Sequence, residues 1–76
     1  MRTVSKDYAW HVIKDWMTNS MDTMDVRADN IDIDCGLVLI RIWKWGTVEI
    51  SKGNEHLKCY DPMFGELFRQ LSEVAR

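Results

Sequence analysis

From Val38 onward, every second residue is apolar over most of three successive short segments: Val38, Ile40 and Ile42, then Val48 and Ile50, then Leu57 and Cys59. Side chains of a strand point to opposite faces with a period of two, so a one-residue slip in pairing moves every apolar residue to the other side. A three-residue loop, Lys44-Trp45-Gly46, keeps the faces consistent. It sets Ile42 opposite Val48, Ile40 opposite Ile50 and Val38 opposite Lys52, with Arg41 against Glu49 and Leu39 against Ser51 on the reverse side. Gly46 then falls where such a loop needs a left-handed residue. Gly53-Asn54 suits a two-residue primed turn and continues the pattern, pairing Ile50 with Leu57, Val48 with Cys59, Glu49 with Lys58 and Thr47 with Tyr60.

Upstream, Asn30-Ile31-Asp32-Ile33-Asp34 alternates as a strand with one apolar face. Pairing it through a Cys35-Gly36 turn places Ile33 beside Val38 and Ile31 beside Ile40. A longer loop is the alternative, because cysteine suits the first turn position badly. Residues 19–28 show neither steady period and read as a linker or frayed helix end.

The two ends of the chain read as helices. Ser5 caps a first one from Lys6 to Asn19 or Ser20, with Ala9, Val12, Ile13, Trp16, Met17 and Ser20 as its inward stripe and Trp10 and Met21 at the margin. Asp61 caps the second and Pro62 takes its first position. Phe64, Leu67, Phe68, Leu71, Val74 and Ala75 form its stripe. Gly65 inside that helix costs about 1 kcal/mol relative to alanine, so it marks a close approach, to the sheet or to Trp16.

Each helix has one apolar stripe and the sheet has one apolar side. The expected architecture is therefore an α+β two-layer sandwich: an N-terminal helix, an antiparallel β-meander of three to four strands and a C-terminal helix, with both helices on one face of the sheet. A chain of 76 residues, 46% hydrophobic, is expected to make a single domain over 1–76. Its core is small, so stability is modest unless a partner or a second copy completes it.

Charge refines this picture only locally. The net charge of −2 gives no field toward nucleic acid, but residues 22–36 carry −4, with Asp22, Asp25, Asp29, Asp32 and Asp34 against Arg27. No EF-hand loop fits there, since Ile42 stands where its final glutamate belongs. Two cysteines at opposite ends of the sheet are too far apart to join and fit a reducing compartment. No secretory leader follows Met1, and Leu37 to Ile40 is too short an aliphatic run to cross a bilayer, so the expectation is a cytoplasmic protein without membrane contact.

Catalytic, metal and cofactor motifs are not found in the sequence. Asp7, His11 and Asp15 share a helix face but lack a nucleophile or cleft, and read as a solvated surface. What remains after the core is assigned is the reverse side of the sheet and its tip: Leu39, Arg41, Trp43, Lys44, Trp45, Lys58 and Tyr60. Large aromatics beside arginine are the composition of binding hot spots. The expectation is a non-enzymatic protein-binding module, an inhibitor or adaptor of a kind common among phage and mobile-element proteins, whose partner is another protein or a second copy. The acidic residues 22–34 supply a second contact. The alternative is single-stranded nucleic acid, with bases stacking on Trp43 and Tyr60, against which stand the acidic balance and Glu49 at the centre of the face.

Overall fold

The computed structural model describes residues 2–19 and 24–74, with the backbone alone for residues 18 and 19. The elements run β1 (Arg2–Thr3), α1 (Lys6–Asn19), β2 (Met24–Val26), β3 (Asn30–Asp34), β4 (Val38–Trp43), β5 (Thr47–Lys52), β6 (Glu55–Tyr60) and α2 (Pro62–Val74). They form an α+β fold with one six-stranded sheet in the order β1-β6-β5-β4-β3-β2. Neighbouring strands are antiparallel except β1, which runs parallel to β6.

The central meander has the register that the alternation predicts. Ile42 lies opposite Val48 and Ile40 opposite Ile50, while Val48 pairs with Cys59 and Ile50 with Leu57. At the β4–β5 tip the Gly46 N–H donates to the Trp43 carbonyl at 3.0 Å, and Gly46 has φ of 107°. Gly53 has φ of 60° with no positive φ at Asn54, the pattern of a II′ turn.

Three expectations are corrected. The sheet has six strands, not three or four, because both ends of the meander are extended by short segments. Met24–Val26, inside the stretch read as a linker, pairs with β3, and Arg2–Thr3 pairs with β6. Between β3 and β4 the turn is Gly36-Leu37 and not Cys35-Gly36: the Cys35 N–H donates to the Val38 carbonyl at 2.9 Å, and Gly36 supplies φ of 87° at the first turn position. The register is consequently displaced by two residues, with Ile33 opposite Ile40, Ile31 opposite Ile42 and Asp32 opposite Arg41. Finally, the helical stripes are narrower than expected, since Met17 and Val74 are exposed. Ser20, Met21, Asp22 and Ala75 lie outside the described residues.

Both helices cover the same side. Ala9, Ile13 and Trp16 of α1 and Phe64 and Leu67 of α2 share one buried cluster with Ile31, Ile33, Ile40, Ile42, Val48, Ile50, Leu57 and Cys59 of the sheet. Trp10 and Phe64 join the helices, with ring centroids 6.5 Å apart. The caps are those predicted. The Ser5 hydroxyl accepts the Tyr8 N–H at 3.1 Å, and an Asp61 carboxylate oxygen accepts the Met63 N–H at 3.0 Å. Gly65 is the close approach expected, made to the loop rather than to Trp16: a Cβ there would stand 2.8 Å from the Lys44 carbonyl oxygen. Both cysteines are free thiols, Cys59 in the core and Cys35 packed at its margin. Among the described residues, no helix is long and apolar enough to cross a membrane.

Candidate functional site

With the helices on one face, the reverse face is left uncovered among the described residues, and its side chains are set by the register. One transverse row reads Asp25, Asp32, Arg41, Glu49, Lys58 and Thr3 across the six strands. In the next row Asn30 faces Trp43. The β3–β4 register matters here, because it places Asp32 directly beside Arg41.

Arg41 and Asp32 form a two-pronged ion pair. Nε lies 2.6 Å from Oδ1 and Nη2 3.0 Å from Oδ2. The hydrogen bond from Arg41 is the chief reason the Asp32 carboxyl sits below its ordinary 3.8, opposed by partial burial and helped by Asn30 and Arg27. The same hydrogen bond raises the Arg41 guanidinium above its ordinary value. Asn30, itself buried, donates from Nδ2 to Asp32 Oδ1 at 2.9 Å. The Arg41 guanidinium carbon also lies 5.6 Å from the Trp43 ring centroid, within cation–π range.

Trp43 is fixed on three sides. Its indole Nε1 donates to Glu49, Arg41 flanks its ring, and Trp45 stacks on it with centroids 4.8 Å apart and planes 16° from parallel. Such pairs add about 0.5 to 1.5 kcal/mol beyond the area they bury. Trp45 remains 52% exposed and Tyr60 62%, while Leu39 is exposed at the other end of the face. Six of the seven candidate residues therefore fall into two sets. Arg41, Trp43 and Trp45 are joined in one locked cluster, and Leu39, Lys58 and Tyr60 are spread around it.

Lys44 stands apart from this cluster. Its Nζ pairs with Asp29 Oδ1 at 2.8 Å, and its N–H donates to the Asp29 carbonyl at 2.9 Å, tying the β4–β5 loop to the β2–β3 turn. Beside it lies an open groove of about 610 Å³, between that loop, Val26 and Ala28 on one side and Gly65, Phe68 and Ser72 of α2 on the other. Trp45 is also among the residues that line this groove.

The acidic residues are not one bare surface. Asp32 is held by Arg41, Asp25 pairs with Arg27 at 3.0 Å, Asp29 pairs with Lys44, and Asp34 accepts the Gly36 N–H at 2.9 Å. Asp22 lies outside the described residues. Asp7, His11 and Asp15 are exposed on α1. Among the described residues, no group of three or more His, Cys, Asp or Glu side chains is placed to hold a metal ion.

Sequence reasoning missed Asn30 and Arg27 as members of the network: Arg27 enters from the end of β2, and Asn30 bonds Asp32 along its own strand, which alternation alone does not signal. The signal available was Gly36: placing it at the first turn position brings Asp32 to Arg41 and Asn30 to Trp43. Compared with protein-family models, curated proteins and solved structures, the chain matches none.

Proposed function

We propose that this chain is a protein-binding module that performs no chemistry of its own and docks through the uncovered face of its sheet. It serves as an inhibitor or adaptor, and its free thiols suit a reducing compartment. The observation that carries this reading is the stacked Trp43–Trp45 pair, clamped by Glu49 and Arg41 while Trp45 stays half exposed. An aromatic that is already fixed loses little conformational freedom on binding, and tryptophan and arginine dominate interface energetics. Leu39 and Tyr60 extend the apolar contact on either side.

The charge arrangement favours protein over nucleic acid as the partner. Arg41 spends its two-pronged contact on Asp32, and Lys44 at the loop is paired with Asp29, so both cations are already neutralised by carboxylates. A phosphate backbone would have to compete with them.

The test uses the chain as bait in extract from its native cell, comparing wild type with Trp43→Ala and Trp45→Ala. A partner retained by wild type and lost from both variants supports the reading. Equal recovery on all three baits, or tryptophan quenching by a single-stranded oligonucleotide that weakens steeply with salt, overturns it.

A further inference from the structure

The sheet has two outer strands, and β2 is the one with a self-complementary edge. Among the described residues nothing pairs with its far side. The Arg27 N–H donates to the Asn30 carbonyl at 2.9 Å, and this fixes the phase of the ladder. Arg27 and Asp25 turn their backbone groups toward β3, so Met24 and Val26 turn theirs outward. An extended segment arriving at this edge finds the N–H and C=O groups of both residues open to it.

We infer that two copies of this chain pair antiparallel along β2, with Val26 opposite Val26 of the second copy, to make one continuous sheet. Among the registers that set charged residues against one another, one is attractive in both pairs. The outward groups permit pairings centred on different residues, and each has a distinct electrostatic result. Setting Met24 opposite Val26 of the second copy brings Asp25 against Asp25, and setting Val26 opposite Ala28 brings Arg27 against Arg27. Like charges directly opposite are destabilising. With Val26 opposite Val26, Asp25 of each copy faces Arg27 of the other, and both cross-strand pairs are attractive. Asp25 and Arg27 already lie together on one side of the strand, 3.0 Å apart, so the second copy meets a pre-formed charge pair. Val26, 36% exposed in the single chain, is covered by its counterpart. The joint lies at the edge of the sheet and is independent of the docking reading of the uncovered face.

The experiment is sedimentation velocity over micromolar to near-millimolar concentrations, with circular dichroism to establish that each variant is folded. Wild type is expected to dimerise reversibly. Asp25→Arg and Arg27→Asp each place like charges in both pairs and should weaken the dimer at least about tenfold. Mixed one to one, these two variants are complementary and should form a heterodimer of wild-type strength, which no effect confined to one chain reproduces. Val26→Pro removes an N–H that bonds nothing within its own ladder, so it should leave the fold intact and abolish the dimer. A wild type that stays monomeric throughout, a dimer indifferent to Val26→Pro, or single variants that fail to associate on mixing would each overturn the proposal.

Discussion

At Gly65 two physical effects oppose each other. Alanine in a helix interior is favoured over glycine by about 1 kcal/mol. Here its Cβ would stand 2.8 Å from the Lys44 carbonyl, a backbone atom of the loop that α2 packs against, and overpacking of this kind typically costs about 1 to 3 kcal/mol. The clash is with a backbone atom that cannot swing aside, so urea unfolding should show Gly65→Ala less stable, by up to about 2 kcal/mol. A raised midpoint would mean that helix and loop are not in contact. Asp32 carries a second prediction. Its carboxyl is held below 3.8 in the folded chain, so the stability it contributes is present above that value and is lost as pH falls through and below it. Asp32→Asn should lower stability at neutral pH by about 1 kcal/mol and flatten the acid limb of the stability curve. If wild type and variant lose stability in parallel below pH 4, the Arg41 pair is not formed in solution.

Among the elements, the turns decide what the alternation leaves open. Hydrophobic patterning forbids odd shifts in strand register but is blind to even ones, since a displacement by two returns every side chain to the same face. The β4–β5 and β5–β6 registers were legible because loop length and glycine placement agreed with the pattern. The β3–β4 register was legible only to within two residues, and Gly36 at the positive-φ position resolves it. β1 and β2 carry no such signal: with two and three residues, their strand character comes from the neighbours they pair with. A graded pair of substitutions tests the turn chemistry. Gly36 has open space around a would-be Cβ, so Gly36→Ala should cost only the left-handed backbone penalty of about 1 to 2 kcal/mol. Gly46→Ala adds a contact 2.6 Å from the Asp61 carbonyl and should cost clearly more in the same unfolding assay. Equal losses would show that the tip is not seated against the start of α2.

The sheet is asymmetric, covered by both helices on one side and, among the described residues, by no other element on the other. The aromatic members of the candidate site were legible as residues left over once the core was assigned. Their assembly into a clamped stack was not, because it depends on the conformation of the loop at Gly46 and on the placement of Asp32. The four tryptophans divide evenly between the two sides, Trp10 and Trp16 on α1 and Trp43 and Trp45 at the sheet. That division supplies an internal control for the most direct test of the account, the nitrogen–proton spectrum of the four indole groups recorded while the captured partner is titrated in. The Trp43 and Trp45 signals should shift or broaden while those of Trp10 and Trp16 stay in place. Movement of the Trp10 and Trp16 signals with Trp43 and Trp45 unchanged would contradict it.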